Sequence, residues 1–411
     1  MKFQRTTLEN GLEIIAETNE DARSTSLGFF VKTGARDETD EIAGVSHFLE
    51  HMVFKGTERR NAVDVNRELD ELGGVSNAFT TEEITAFYAK VLPELQERAV
   101  DLLGDILRPS LRKFDFDAEK QVILEEIKMY EDQPPFGVDE KWRAFFWKGH
   151  PLARSVLGTL DSVGNLSVES MREYFERRYG ANNVVFVACG QVDFDKLTSW
   201  VDRACGAWKP QETGRESWRP QGVRETRVVG REETSQEYVF QLVDAPTGAE
   251  SDRFAASILT TILGDDVGSR LFWELVDSGR AETAALYLSS FSDAGAFLTS
   301  LVCNPNDVDD NLATIRDVLL EAQQGGITEE ELIRAKNKIL TGVALSGERP
   351  QSRLFAIGEE WTTRGQYRSV VDDLQTLREI TLDEVDGVMK KYPFDNPFTI
   401  AVGSVDSLRD F

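Results

Sequence analysis

The sequence predicts two α+β domains, on three observations: a length of 411 residues, strands interleaved with amphipathic helices, and an order of elements that recurs in the second half. A chain this long exceeds one ordinary core. After the Asn10-Gly11 turn, Leu12-Glu13-Ile14-Ile15-Ala16 reads as a strand, and Ser26-Leu27-Gly28-Phe29-Phe30-Val31 as another. Ala62, Val65, Leu69 and Leu72 then share one helical face, which Gly73-Gly74 ends. Phe87-Tyr88-Ala89-Lys90-Val91 reads as a further strand. Helices follow through Leu95, Ala99, Leu102, Leu103 and Ile106, and through Val122, Ile123 and Ile127.

The recurrence has anchors. Pro93, Leu107 and Glu119 correspond to Pro305, Leu319 and Glu331, all three by one constant displacement, which suggests an internal duplication. Between the halves, Trp208 to Arg227 is rich in Pro, Gly, Arg and Glu and poor in apolar periodicity. The expected division is therefore 1–207, a linker over 208–227, and 228–411.

Composition narrows the classes. Hydrophobic content of 41% with 29% charged residues fits a soluble globular chain. No apolar run approaches the roughly 18 residues of a membrane span, so no membrane partner is expected. Met1-Lys2-Phe3-Gln4-Arg5 lacks the apolar core of a secretory leader, which predicts a cytoplasmic location. The formal charge of −26 argues against nucleic acid, because nothing would neutralise phosphates. The acidity fits attraction of cationic peptides, and equally a solvated surface. Cys189, Cys205 and Cys303 are scattered and read as small core residues.

The chemistry concentrates in His47-Phe48-Leu49-Glu50-His51. On a helix, residues four apart share a face, so both imidazoles can reach one ion with Glu50 beside it. Imidazole and carboxylate suit zinc, and the pattern H-x-x-E-H inverts the H-E-x-x-H signature. Two of the chain's three histidines sit in this pentapeptide, and Val45, Phe48, Leu49, Met52, Val53 and Phe54 around them make the segment apolar on nearly all sides. A third ligand should be an acid from another element. Glu119 and Glu126 lie two helical turns apart, on a stripe that includes Val122 and Ile123; helical geometry leaves Glu125 and Glu126 both open as the ligand.

Three segments carry a resemblance over nearly the whole chain. They are Gly44-Val45-Ser46-His47-Phe48-Leu49-Glu50-His51-Met52-Val53-Phe54-Lys55-Gly56-Thr57, Asn77-Ala78-Phe79-Thr80, and Val122-Ile123-Leu124-Glu125-Glu126-Ile127. With them the sequence resembles the pitrilysin family, which includes insulin-degrading enzyme and the mitochondrial processing peptidases, and in size its smaller bacterial members. The resemblance implies a clamshell of two related α/β-sandwich domains, each an antiparallel sheet plus helices, around a chamber. It implies Zn2+ held by His47, His51 and Glu126, with Glu50 as general base and Glu119 as a supporting catalytic acid. Asn77, Ala78 and Phe79 would lie on an edge strand that pairs with extended substrate, although Asn77 also suits a plain turn after Gly73-Gly74.

The second half lacks the motif, since the positions matching His47, Glu50, His51 and Glu126 are Leu259, Ile262, Leu263 and Lys338. Ser269-Arg270-Leu271-Phe272 matches the family's substrate-holding arginine, though Arg270 also suits a salt bridge. The family's tyrosine is replaced by Glu282. The expected function is zinc-dependent endopeptidase action on peptides or unfolded polypeptide, by a homodimer or by a heterodimer with a related subunit. The alternatives are the catalytic half of a heterodimer that needs its partner's contacts, and a non-proteolytic assembly subunit of the same fold.

Overall fold

The structure is a computed structural model that describes residues 1–231 and 234–409. Strands β1 (Lys2–Thr7), β2 (Glu13–Thr18) and β3 (Thr25–Val31) lead into helices α1 (Val45–Val53) and α2 (Ala62–Glu71). The hairpin β4 (Val75–Thr80) and β5 (Thr85–Val91) precedes α3 (Gln96–Ile106) and α4 (Lys113–Asp132). Next come α5 (Val138–Phe146), α6 (Leu160–Asn165), α7 (Val168–Arg178), β6 (Val184–Gly190) and α8 (Phe194–Cys205). The second half opens with β7 (Thr226–Gly230), β8 (Glu237–Asp244), α9 (Asp252–Gly264), β9 (Thr283–Ser290) and β10 (Gly295–Cys303). It closes with α10 (Val308–Gly325), α11 (Glu329–Gly347), α12 (Pro350–Arg364), α13 (Val370–Glu379), α14 (Leu382–Lys391) and β11 (Phe398–Gly403).

The chain forms two compact units, and neither is one continuous stretch. Unit 1 comprises Met1–Asp132, Arg154–Glu216 and Leu345–Arg368; unit 2 comprises Gln133–Ala153, Ser217–Ala344 and Ser369–Phe411. The passage at 216/217 falls inside the expected linker, whose last two residues already belong to β7. Each contiguous half expected from the sequence thus gives one segment to the other unit. The two exchanged segments begin at Gln133 and Leu345, the same displacement that separates Pro93 from Pro305.

That displacement runs through the architecture. Unit 1 has the strand order β1-β2-β6-β3-β5-β4 and unit 2 the order β7-β11-β8-β10-β9, so the second sheet repeats the first without β1. In both, one parallel pair (β2 with β6, β7 with β11) joins an otherwise antiparallel sheet. The mixed helix and sheet class is therefore as the sequence predicts, twice over.

Both sheets are buried on both faces. Ile14, Phe29 and Phe186 point into a core with α1, α3 and α4, while Ile15, Phe30 and Val187 point the other way. Alternation with period 2 forces this split, and a strand apolar at consecutive positions must be covered twice. In unit 1 the second cover is α12, through Leu354, Ile357 and Trp361. In unit 2 it is α5 and the residue that follows it, through Trp142, Phe146 and Trp147 packed on Phe240, Phe398 and Ile400. All three cysteines are buried and free, as expected of small core residues.

Within unit 1, α12 is fixed by a buried ion pair. Arg353 Nε and Nη2 donate to the two carboxylate oxygens of Glu17 on β2 at 2.8 and 2.7 Å, and the Tyr367 hydroxyl donates to Glu17 at 2.7 Å. Removing one partner of such a pair strands a buried charge. Arg353→Met is therefore expected to lower unit 1 stability by about 3–5 kcal/mol, with most of that recovered in the Glu17→Met/Arg353→Met double variant. Urea unfolding followed by tryptophan emission checks this; equal losses in single and double variants would contradict it.

Candidate metal centre

Helix α1 carries the histidines, and its first turn is held from outside. Gly44 precedes it at φ 90°, a left-handed conformation that favours glycine, and a Cβ there would lie 2.6 Å from the Leu157 carbonyl. The helix supplies no side-chain cap of its own. Instead Glu38, itself buried, accepts from the Gly44 and Ser46 N–H groups at 2.7 Å each, which satisfies donors a helix start leaves open. Burial pushes the Glu38 carboxyl up to about 8, against the pull of these N–H groups. Ser46 Oγ also bonds the Tyr174 hydroxyl at 2.7 Å, and Phe48 stacks on Phe116 of α4 at 4.6 Å.

These contacts aim His47 and His51 at α4. Their ring centres are 4.7 Å apart. Glu126 Oε2 lies 3.8 Å from His47 Nε2 and 3.9 Å from His51 Nε2. One donor atom from each of the three residues falls within 4.8 Å of the others. Donors about 2.0–2.2 Å from a zinc ion sit roughly 3.4 Å apart in a tetrahedron, so a small inward movement of side chains would complete such a site. Of the two candidate acids, Glu126 faces the histidines, whereas Glu125 is 73% exposed and pairs with Lys128. Val122 does not share the buried stripe: it is 50% exposed while Ile123 is fully buried, because neighbours in a helix point about 100° apart.

Glu119, two turns earlier on α4, fixes a tautomer. Its Oε1 is 2.9 Å from His51 Nδ1, and its Oε2 is 2.5 Å from Lys55 Nζ. Burial pushes Glu119 up, but the bonds from His51 and Lys55 outweigh it and hold it below the usual carboxylate range. A carboxylate only accepts, so Nδ1 of His51 must donate, which leaves Nε2 with its lone pair turned to Glu126. Burial lowers His51, yet Glu119, Glu126 and Glu50 together raise it; burial and the neighbouring His51 push His47 down to about 4. Glu126 is raised, chiefly by burial. This donor set, two imidazoles and one carboxylate with acids drawing positive charge between them, fits a divalent metal ion.

Glu50 stands beside the three. Its Oε2 accepts from the Thr80 hydroxyl at 2.6 Å, and burial raises its pKa against that bond. Thr80 ends β4, the outermost strand of its sheet. Asn77, Ala78 and Phe79 lie on that strand: Asn77 is exposed, Ala78 is buried and pairs with Phe87, and Phe79 packs on Phe355. Asn77 is therefore a strand residue and not a turn residue. Arg270 belongs to unit 2 and is held by Glu331 at 2.7 Å. Glu282 there accepts from Gln236.

Sequence reasoning assigned no role to Thr80, Lys55 or Glu38. Thr80 and Lys55 lie within the segments 77–80 and 44–57 that carry the family resemblance, and their polar side chains beside apolar neighbours were the available signal. For Glu38 there was none, since its partner N–H groups belong to a later element.

Residues 13–160 match the insulinase family (peptidase family M16), and residues 165–339 match the peptidase M16 inactive domain. An uncharacterized zinc protease of Streptomyces coelicolor is 34% identical over 97% of this chain and 89% of its own. The mitochondrial-processing peptidase subunit beta of Lentinula edodes is 28% identical over 98% of this chain and 91% of its own. A protease from Helicobacter pylori has the same fold at a TM-score of 0.91 and 22% identity, covering 98% of this chain and 99% of that one. With its two matched domains in order and a relative this similar along nearly its full length, the chain belongs to peptidase family M16.

Proposed function

We propose that the chain is a zinc-dependent endopeptidase that hydrolyses peptides or unfolded polypeptide segments. The observation that carries this reading is the convergence of His47 Nε2, His51 Nε2 and Glu126 Oε2 with Glu50 alongside. Bound zinc supplies a Lewis acid that polarises a carbonyl and lowers the pKa of water. The protein's own groups do the rest. Glu50 takes a proton on its free carboxylate oxygen while Thr80 steadies the other, and later delivers that proton to the departing amine. Burial raises its pKa, which makes it a stronger proton acceptor than an exposed carboxylate. Glu119 acts through His51, holding its ring and tautomer.

The edge position of β4 supports substrate binding by strand addition. Its outer row of N–H and C=O groups has no strand opposite among the described residues, and an extended peptide there would lie next to Thr80 and Glu50. Main-chain pairing of this kind accepts many side chains, so broad specificity follows.

A second reading is favoured by Glu282, which stands where the family pattern has a tyrosine, and by the likeness to a processing-peptidase subunit. Here the chain is the catalytic half of a heterodimer, and a related subunit supplies further substrate contacts.

Glu50→Gln is expected to reduce hydrolysis of a quenched-fluorescent peptide mixture by roughly 100- to 10,000-fold while leaving zinc content unchanged. An equally active variant would remove Glu50 from the chemistry. If wild type binds zinc yet cleaves only after a related subunit is added, the heterodimer reading holds instead.

The protein should also bind one zinc per chain, lose it to a chelator together with activity, and fail to hold it as His51→Ala. Metal analysis after gel filtration reads this directly, and full peptidase activity in His51→Ala would overturn the metal assignment.

A further inference from the structure

Because unit 2 repeats the frame of unit 1, it has a counterpart of the histidine site. The donors are gone there, with Leu259, Ile262, Leu263 and Lys338 in their places; Leu259 and Leu263 are buried in the core, whereas Ile262 and Lys338 border an open pocket. A pocket of about 280 Å³ lies between α9, the turn after it and α11. Its lining runs against the character of the chain. The whole sequence carries −26, but the wall of this pocket holds Arg270, Arg334 and Lys338 with one carboxylate, Glu331, while Asp265 and Glu330 meet Lys338 and Arg334 from beyond the wall.

Donor counting shows which charges are spent. Glu331 accepts from Arg270 Nε and Nη2 at 2.7 and 2.9 Å and from the Thr328 N–H and hydroxyl at 2.9 and 2.8 Å, so its oxygens are occupied. Lys338 donates to Asp265 at 2.6 Å and to the Val267 carbonyl, out of three ammonium hydrogens. Arg334 has only a 3.4 Å contact with Glu330 and is 63% exposed. Among the described residues, Nη1 of Arg270, Nε and Nη2 of Arg334, and one Lys338 hydrogen have no protein partner. Such donors at one pocket select an anion, and guanidinium groups in particular suit the two oxygens of a carboxylate. The rest of the wall is mixed: Thr261 and Ser269 spend their hydroxyls on backbone carbonyls, while buried Ile262, Ala335 and Trp273, 57% exposed, offer apolar surface that suits the carbon chain behind a carboxylate.

We propose that this pocket is a subsite for a peptide carboxylate, either an acidic side chain or a free C-terminus. The inference rests on the reading that peptides are the substrate, and adds a preference within it. The general acidity of the chain fits cationic peptides and a solvated surface equally, whereas the charges that converge on this pocket with unused donors are positive.

The test uses the Glu50→Gln protein, so that nothing is consumed, and three short peptides. One has blocked ends and a glutamate, one has blocked ends and a glutamine, and one has a free C-terminus and no acidic side chain. Binding is read by calorimetry and by tryptophan emission, with Trp273→Phe as the spectral blank. At least one carboxylate peptide should bind about tenfold tighter than the neutral one, with the advantage lost in Arg334→Gln and in Lys338→Gln and eroded by salt. Which of the two carboxylates wins identifies the source. Arg334 makes no buried contact, so its variant separates the subsite from folding. Equal binding of all three peptides, indifference to both substitutions, or binding of inorganic phosphate as tight as the best peptide would each overturn the proposal. Cleavage by wild type without this discrimination would sink the subsite and keep the peptidase; discrimination without cleavage would do the reverse.

Discussion

Everything at the site depends on helix α1 being unable to turn about its own axis. Two imidazoles spaced four apart meet one ion only if their shared face stays pointed at Glu126, and a modest rotation would carry both away. Three contacts prevent it. Glu38 bonds the N–H groups of Gly44 and Ser46 at the start, Phe48 stacks on Phe116 across the α1–α4 contact, and Ser46 is tied to Tyr174. Tyr174 in turn bonds Thr33, which accepts from Arg178, whose guanidinium pairs with Asp37. The polar network under the site is therefore continuous and buried, and such networks hold one arrangement when every member is satisfied.

A second constraint sets the order of the chain. A sheet apolar on both faces needs two layers of cover, and each unit takes its second layer from the exchanged segment, α12 in unit 1 and α5 in unit 2. The exchange is symmetric, since its two segments start at equivalent positions, Gln133 and Leu345, so it is a property of the repeated frame and not an accident of one half. The Glu17–Arg353 pair shows how exacting the fit is, since α12 carries a full charge into the interior of unit 1 and finds its partner there.

Much of this was legible because it is local. The strands at 12–16 and 26–31, the helix ending before Gly73-Gly74 and the H-x-x-E-H spacing all follow from periodicity within one element. The four-residue spacing of His47 and His51, and the seven-residue spacing of Glu119 and Glu126, survive folding because a helix fixes them. What was illegible depends on approach between elements. The Trp142, Phe146 and Trp147 cluster announces burial but not which sheet it covers, so the exchange could not be read. Val122 looked interior beside Ile123, yet only the contact with α1 decides which arc of α4 is dry. Thr80 at the end of β4 reaches Glu50 on α1, a relation no spacing encodes.

The two units show how one frame supports opposite chemistry. Glu119 and Glu331 occupy equivalent places in the two repeats, and each serves as a fixed acceptor for a nitrogen-bearing partner. In unit 1 the partner is a histidine, and holding its Nδ1 turns a lone pair toward Glu126. In unit 2 the partner is Arg270, and holding its Nε and Nη2 leaves Nη1 as a donor. The acid does the same physical work in both; the partner's chemistry decides whether the result offers electrons or protons. Glu126 and Lys338 follow the same division, an acceptor beside the two histidines and a donor beside Arg270 and Arg334. A duplicated position can thus change from cation-binding to anion-binding with its supporting carboxylate intact, because orientation by that carboxylate is indifferent to which kind of group it orients.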